Sequence, residues 1–428
     1  MVKARFPPEW GVEPVPAKVK TLRAVDYFVL WSSLGVGLLV FLAGSLLYPS
    51  LSLMEVLAVS LLGSIVGSAL LASAGVVGSK YGVPTMVSLR AVLGVKGSYI
   101  PTCLNVLQLV GWTTFELIIM GEAAASISGS FLGPFTKHAW ILIFAAWCSL
   151  LALGGPVAVV RQWLEKAAIW LVYASTAWIT IQVFARPGAI AGLFEPGTGE
   201  MPLPLALDLV IAMPISWWPL ISDYNRFAGS DRGAFAGTVA GYTFANAWFY
   251  FLGAAIVALT GIADVVSSIS ILFFGGLALL LILVDETDNA FADIYSSAVS
   301  LQNIFPKVKQ RKFILAVAGL SAALALTIPI ARYEHFLLMI GALFVPLLGV
   351  LFSEFFAVRK GRYGIEEFYA KAGGLNGKAL ASWIVGVALY FTLASFYPWV
   401  GSSLPSFFAS ALVNYALSRP RRERIEGG

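Results

Sequence analysis

The 428-residue chain has few charged residues and almost no side chains suited to metal or nucleophilic chemistry. Asp, Glu, Lys and Arg together make up 12% of it, and it contains two histidines and two cysteines. Cys103 and Cys148 have no spacing typical of metal ligands. The sequence also lacks a Ser-His-Asp set, a phosphate-binding loop and a His-Glu-x-x-His pattern. These absences exclude the common soluble-enzyme, zinc and haem classes, and no cofactor is expected.

Apolar residues dominate what remains. Hydrophobic residues make up 59% of the chain, its mean hydropathy is +0.83, and long uncharged runs recur along it. Such runs are long enough to cross a bilayer as helices, so the sequence predicts an all-α polytopic membrane protein with about twelve spans. The predicted spans lie near residues 27–48, 54–78, 98–127, 138–156, 163–185, 204–228, 234–263, 270–303, 312–330, 335–357, 379–397 and 400–418.

The basic residues predict the orientation. With a cytoplasmic N-terminus, 25 of the 28 Lys and Arg fall in cytoplasmic segments, and only Lys137, Arg186 and Arg332 fall outside. This bias follows the positive-inside rule, so we expect a cell-membrane protein with both termini in the cytoplasm. Residues 1–24 are polar and Pro-rich, so no cleaved signal peptide is expected. The net charge of +5 reflects topology, and apart from the lipid bilayer neither a nucleic-acid nor a protein partner is implied.

Two spans carry sequences that disfavour a continuous helix. Span 1 contains the small residues of Trp31–Gly37, and span 6 contains Pro214 and Pro219, which each remove a backbone hydrogen-bond donor. Unwound backbone at membrane depth is tolerated only where protein buries it or where it lines a cavity. The two spans begin about 180 residues apart, as in transporters built from two inverted repeats. The predicted division is an N-terminal segment 1–24, repeats 25–186 and 204–357 of a ten-helix core 25–357, a connector 358–378, peripheral helices 379–418 and a basic tail 419–428.

A cluster of acids interrupts span 8. Asp285, Glu286, Asp288 and Asp293 place four carboxylates within nine residues, and span 3 contributes Glu116. A charged side chain at membrane depth costs about 2.5 to 3.5 kcal/mol or more, so such residues normally face a cavity or a partner. We therefore expect the functional site where spans 1 and 6 meet spans 3 and 8.

Several short strings along the chain resemble the nucleobase-cation symporter-1 family. They are Gly82-Val83-Pro84, Ser88-Leu89-Arg90, Gly94-Val95-Lys96-Gly97, Gly111-Trp112, Ser216-Trp217, residues 223–227 and Asp288-Asn289-Ala290. The strings Met213–Phe227 and Asp285–Asn303 look most like the branch of hydroxymethylpyrimidine (thiamine-precursor) permeases. The resemblance covers nearly the whole chain. It implies the leucine-transporter fold, with two inverted five-helix repeats, broken helices 1 and 6, and two peripheral helices.

The resemblance also implies roles for individual residues in a substrate site. A span-3 Trp stacks on the flat heterocycle in the family, and Trp112 occupies that place. Glu116, one turn further along the same helix face, stands where relatives use an amide to bind the ring edge. Ser216 and Trp217 lie at the break of span 6, and Asp293 stands where relatives place a substrate-binding Asn.

A cation site is implied nearby. Thr287 and Asp288 occupy the place of a hydroxyl pair that binds sodium in relatives, and backbone carbonyls freed near Ser32 and Gly35 would add ligands. An alternative alignment, anchored on the string Asp288-Asn289-Ala290, shifts the span-8 assignments by a few residues. Buried acids can instead carry protons themselves, so proton coupling stays open beside the sodium coupling that the resemblance favours.

Carboxylates at the ring edge predict the class of substrate. An ionised carboxylate accepts hydrogen bonds and donates none, so Glu116 and Asp293 favour a heterocycle rich in N–H donors over uracil or hydantoin. We expect a cation-coupled importer of a small aminated heterocycle, first of all hydroxymethylpyrimidine, and not an enzyme. Spans 1, 2, 6 and 7 would rock against spans 3, 4, 8 and 9 in alternating access. A cytosine or purine permease is the nearer alternative, and an ion channel or intramembrane sensor the more distant one.

Overall fold

Helices correspond to all twelve predicted spans. The computed structural model describes residues 10–155, 169–329, 333–369 and 374–419, and an isolated β-bridge within them pairs Leu22 with Ala228. The spans are Ala24–Ser33 with Leu38–Ser45 (span 1), Leu53–Tyr81 (2), Tyr99–Ser128 (3), Thr136–Gly154 (4), Ile169–Phe184 (5), Leu203–Ser216 with Ile221–Asn225 (6), Asp231–Thr260 (7), Gly275–Ile304 (8), Gln310–Ala325 (9), Tyr333–Phe352 (10), Gly377–Phe396 (11) and Ser403–Ser418 (12). Shorter helices lie at Thr85–Ser88, Arg90–Leu93, Ala189–Gly192 and Val265–Ser270.

Length and composition confirm an all-α polytopic membrane protein. Seven of the described helices are long and apolar enough to cross a membrane, and the two halves of span 1 together make an eighth. Spans 5, 9 and 12 are shorter, with 16 described residues each. The predicted beginning of span 5 at 163–168, the predicted end of span 9 at 330, and the ends of the chain at 1–9 and 420–428 lie outside the described residues.

Span 1 is broken where the sequence predicts it. Its first half ends at Ser33, and the second half begins at Leu38 and departs from the first by 61°. Gly37, just before the second half, has φ +147°, a value that L side chains rarely adopt. A break of this kind leaves backbone donors and acceptors without partners inside the helix, so neighbouring spans must supply them.

Span 6 is interrupted as well, but it continues as one 23-residue stretch, Leu203–Asn225. Its first helix runs through Pro214 to Ser216, and a 3₁₀ turn at Trp218–Leu220 leads into the short second helix. The expected discontinuity is therefore present in both spans, and the large change of direction belongs to span 1.

The spans pack in two main groups. In one group span 7 packs against spans 1 and 2, and span 2 packs against span 6. In the other, spans 3, 4, 8 and 9 all contact one another, with span 3 lying along span 8. Span 5 lies beside span 8, and spans 10, 11 and 12 pack together. Gly237 and Gly241 of span 7 let the first group pack closely, because a Cβ at either would collide with the backbone of Ala24 or Phe28 in span 1. The breaks of spans 1 and 6 thus lie in one group and face spans 3 and 8 of the other.

Candidate functional site

A small cavity lies at the level of the two breaks. Spans 1, 3, 6 and 8 all contribute to it. About 20 Å³ of it is open to the centre of a water molecule, which is room for roughly one ordered water. This space is smaller than a heterocycle, which therefore needs a wider arrangement of the same walls. The wall consists of Leu34, Val36, Gly37, Leu39, Val40, Trp112, Glu116, Met213, Ser216, Trp217, Glu286 and Asn289.

Trp112 and Glu116 form the span-3 wall of the cavity. Both are buried, with 6% and 3% of their surface exposed, and their spacing of four residues puts them on one helix face. The Trp112 ring packs edge-on against Phe336 of span 10, with 5.3 Å between ring centroids. Gly111 makes room for this contact, because a Cβ there would lie 2.6 Å from the Phe336 ring. Glu116 Oε2 has no hydrogen-bond partner among the described residues and is an acceptor available to a ligand.

Ser216 and Trp217 form the span-6 wall, as the sequence predicts. The Ser216 hydroxyl donates to the Met213 carbonyl at 2.7 Å, so its proton is used within span 6. The Trp217 ring meets Trp31 of span 1 edge-on, at 6.3 Å between centroids. The adjacent Trp218 points elsewhere and donates through Nε1 to the carbonyl of Phe344. Of the two neighbouring indoles, the one at 217 therefore faces the cavity.

Amide side chains of span 3 contact the interrupted backbone of span 6. Gln108 Nε2 donates to the carbonyl of Ser216 at 3.1 Å, and Asn105 Nδ2 donates to that of Pro219 at 3.4 Å. Asn105 Nδ2 also donates to the Ser300 hydroxyl of span 8 at 2.9 Å. Lipid offers no donors, so these amides pair carbonyls that the interruption of span 6 leaves free.

Three acids of span 8 are buried close to Glu116. Glu286, Asp288 and Asp293 are 1%, 0% and 1% exposed, and the Glu116 carboxyl interacts electrostatically with all three, most strongly with Asp293. The ion pairs found among the described residues involve none of them. Four carboxyl groups in a dry region repel one another as anions, so a proton, a metal cation or a cationic ligand would relieve that repulsion.

The structure divides the predicted span-8 site residues between two places. Asp293 is buried beside Glu116 but is not part of the cavity wall. Asp288 lies against the Ser33 hydroxyl at the break of span 1. Thr287 donates its hydroxyl proton to the Val284 carbonyl at 2.8 Å, which leaves the oxygen lone pairs for other contacts.

The span-1 residues whose backbone carbonyls are predicted to bind the cation have side-chain contacts with spans 5 and 7. The Ser32 hydroxyl donates to the Val29 carbonyl at 3.1 Å and accepts from the Tyr173 hydroxyl of span 5 at 2.8 Å. A Cβ built at Gly35 would lie 3.2 Å from the Ala245 Cβ of span 7, so the chain at this position lies close to span 7. Among the described residues, no three His, Cys, Asp or Glu side chains meet in a metal-binding group, so a cation here would rely on carbonyl and hydroxyl oxygens beside Asp288.

Glu286 and Asn289 reach the cavity although sequence reasoning assigned them no role. Glu286 Oε2 accepts from the Leu38 N–H at 2.8 Å, and Asn289 Nδ2 donates to the Val36 carbonyl at 2.9 Å. Together they satisfy the donor and the acceptor that the break of span 1 leaves free. Their spacing to Asp293, at i, i+3 and i+7 along one helix face, is the signal that could have drawn attention to them.

Comparison with known proteins agrees with this architecture. The family described as permeases for cytosine/purines, uracil, thiamine and allantoin matches residues 14–417. The allantoin permease of Bacillus subtilis (strain 168) is 24% identical over 458 residues, covering 94% of this chain and 90% of that protein.

Solved structures of Mhp1, a nucleobase-cation-symport-1 family transporter, have the same fold. The closed conformation with bromovinylhydantoin bound superposes with a TM-score of 0.83 at 19% identity, covering 96% of this chain and 95% of the other. The inward-facing conformation gives a TM-score of 0.78 at 21% identity, covering 98% and 94%. The chain belongs to the nucleobase-cation symporter-1 family of permeases, and it is a membrane transporter of the leucine-transporter fold and not an enzyme.

Proposed function

We propose that this transporter imports a small aminated heterocycle together with a cation, and that hydroxymethylpyrimidine is its first candidate substrate. We place it in the cell membrane with both termini in the cytoplasm, following the distribution of basic residues. The observation that carries the proposal is that Trp112 and Glu116 share one cavity with Trp217 at the breaks of spans 1 and 6.

The aromatic part of the cavity suits a flat ring. Trp112 and Trp217 enter it from spans 3 and 6, and each indole presents a broad apolar face with only two rotatable side-chain bonds. Stacking of a base on an aromatic side chain contributes about 1 to 3 kcal/mol and depends little on which heterocycle is bound. The two indoles therefore account for binding of a heterocycle, and the choice among heterocycles falls to the polar groups.

The polar part of the cavity suits a ring edge that donates hydrogen bonds. Glu116 offers a buried oxygen without a partner among the described residues, and an amino group beside a protonated ring nitrogen would present two donors to it. Asp293 is the second proposed edge contact. It interacts with Glu116 but is not part of the cavity wall, so it would meet the substrate once the site widens.

The packing of the spans supports alternating access. Spans 1, 2, 6 and 7 pack as one group and spans 3, 4, 8 and 9 as another, with the cavity between them. Movement of one group against the other would open the cavity to either side in turn. Transporters built from inverted repeats bind their substrates near the bilayer midplane, at the interface between the repeats.

The coupling cation is proposed to bind beside Asp288, with Thr287 and backbone oxygens near Ser32 and Gly35 as further ligands. Asp288 is fully buried against Ser33 at the break, so a cation bound there would link span 8 to span 1. Sodium prefers such hard oxygen ligands, and a proton on the carboxyl itself would serve the same link. Sodium is our first candidate because of the family resemblance.

Equilibrium binding to the purified full-length protein tests the proposal. Hydroxymethylpyrimidine should bind the wild type more tightly in sodium than in potassium at constant ionic strength, and Glu116→Gln should lose about tenfold or more of that affinity. Asp208→Asn is the matched control, because Asp208 is a buried acid of span 6 that binds the start of span 12 and lies outside the cavity. Cytosine bound in preference to hydroxymethylpyrimidine would support the cytosine or purine permease alternative.

Flux measurements separate a transporter from the channel alternative. In proteoliposomes, uptake should saturate with substrate concentration and should require the cation gradient. Conductance that does not saturate, with no binding of any heterocycle, would contradict the proposal.

A further inference from the structure

Glu286 and Asn289 are placed to do more than hold the break of span 1. The Cβ position of Gly37, built from the backbone, lies 2.8 Å from Glu286 Oε2 and 3.0 Å from Asn289 Nδ2. Both side chains are buried, at 1% and 4% exposure, and both line the same cavity as Trp112 and Glu116. They form a second polar wall, on span 8, and neither residue belongs to the substrate contacts or the cation site of the proposed function.

The hydrogen bonds at the break of span 1 determine which hydrogen-bonding groups this second wall presents to a ligand. Asn289 Nδ2 is held by the Val36 carbonyl at 2.9 Å, so its Oδ1 must be the free end of the amide. That Oδ1 is buried and has no hydrogen-bond partner among the described residues. Glu286 is a carboxyl group, one oxygen of which already accepts from the Leu38 N–H at 2.8 Å. The wall therefore offers Asn289 Oδ1 as an acceptor, together with the Glu286 carboxyl, whose second oxygen also accepts when the group is ionised.

The opposite wall carries a carboxyl too. Glu116 Oε2 on span 3 is buried without a described partner, and the Glu116 and Glu286 carboxyls interact electrostatically. The Ser216 hydroxyl donates its proton to the Met213 carbonyl within span 6, so it does not donate into the cavity. With Glu116 and Glu286 ionised, a ligand with carbonyls on both edges would leave these buried acceptors unpaired, which is costly, whereas a ligand with donors on two edges would satisfy both walls.

We infer that Glu286 and Asn289 form a second substrate-binding wall that selects, together with Glu116, a heterocycle with N–H donors on two edges or with a positive charge. The inference rests on the proposed function and narrows its substrate class. A ligand bound to Glu286 would also be linked directly to the break of span 1, because Glu286 accepts from the first N–H of the helix Leu38–Ser45. That helix begins with its positive end toward the carboxyl, which favours a negative charge there.

The test compares ligand selectivity in two matched variants of the full chain. Glu286→Gln keeps an oxygen for the Leu38 N–H but replaces a carboxyl oxygen with a donor. Glu286→Gln should lower the affinities for hydroxymethylpyrimidine and cytosine by about 10- to 100-fold. It should change the affinity for uracil by about threefold or less. Asp208→Asn is again the control, because Asp208 accepts the N–H of Ser403 at the start of span 12 at 2.9 Å but lies away from the cavity. It should leave the ratio of the affinities unchanged.

The outcomes separate this inference from the proposed function. Suppose that the wild type binds the aminated ligands, and that Glu286→Gln either leaves their affinities unchanged or lowers the uracil affinity by the same factor. Glu286 is then only a helix cap, and the inference is wrong while the proposed function stands. If the wild type prefers uracil to the aminated ligands, both fail. Should Glu286→Gln not fold, Asn289→Ala tests the same wall without changing charge. It should lower the affinity for the aminated ligands at least about fivefold more than the affinity for uracil.

Discussion

Arg226 of span 6 donates a hydrogen bond from Nη2 to the hydroxyl of Tyr295 in span 8, with 2.9 Å between the two atoms. Its Nη1 donates to the carbonyl of Gly11, in the N-terminal segment, also at 2.9 Å. The guanidinium is fully buried. A single side chain thus joins the N-terminal segment to one group of spans and to the other.

Removing the acceptor should loosen this junction. Tyr295→Phe keeps the ring and leaves one N–H of a buried cation without its partner, so we expect the free energy of unfolding to fall by about 1.5 to 3 kcal/mol. Thermal unfolding in detergent measures the change. Tyr397→Phe is the control, because Tyr397 is exposed and loses a solvated hydroxyl. Equal melting temperatures for the two variants would show that the hydrogen bond to Arg226 does not contribute to stability.

Gly37 should not tolerate a side chain. Its φ of +147° alone costs a residue with a Cβ about 1 to 3 kcal/mol. The added Cβ would also lie 2.8 Å from Glu286 Oε2, so Gly37→Ala should break the contact between Glu286 and Leu38 and lower substrate affinity as well as stability.

The matched control for that variant lies in span 8. A Cβ at Gly276 would meet nothing within 4 Å, and the residue lies in a helix, where alanine is favoured over glycine by roughly 1 kcal/mol. Gly276→Ala should therefore retain binding and full stability. Substrate affinity in Gly37→Ala equal to that in Gly276→Ala would contradict the proposed role of the Gly37 backbone.

The spans and their breaks could be predicted from the sequence because hydropathy and proline act locally. A run of apolar residues makes a membrane helix wherever it lies, and Pro214 and Pro219 each remove a donor whatever surrounds them. The meeting of spans 1, 3, 6 and 8 followed from the two matching breaks. These predictions needed only the order of residues along the chain.

Which residues of span 8 line the cavity could not be predicted in the same way. Glu286, Asn289 and Asp293 share one helix face, yet the structure puts the first two at the cavity and the third outside its wall. Which part of the face meets the cavity depends on how span 8 packs against span 3 and against the break of span 1. Similarly, Ser32 and Ser33 are adjacent, but about 100° of helix rotation directs one to span 5 and the other to Asp288.

Arg90 should not be replaceable by lysine. Its Nε donates to Asn303 Oδ1 at 2.8 Å, its Nη2 to the Asn303 carbonyl at 3.1 Å and its Nη1 to the Phe368 carbonyl at 3.3 Å. A lysine ammonium cannot reproduce this planar set of donors, so Arg90→Lys should lower the free energy of unfolding by about 2 kcal/mol. Arg232→Lys, at an exposed position, is the control and should be neutral. Equal thermal stabilities of the two variants would contradict the bridging role of Arg90.

Asp288 is the residue whose replacement should uncouple the cation from the substrate. Asp288→Asn removes the charge with almost no change of volume, so sodium should no longer increase hydroxymethylpyrimidine affinity, whereas Asp208→Asn should keep the sodium effect. Wild-type binding measured with pH varied in potassium, and with sodium varied at constant pH, identifies the ion. Dependence on sodium alone, lost in Asp288→Asn, indicates a metal cation beside the carboxylate, and dependence on pH alone, lost in the same variant, indicates a proton on it. A full cation response in Asp288→Asn would exclude Asp288 as the coupling site, and Asp293, buried on the same span, would then be the next acid to replace.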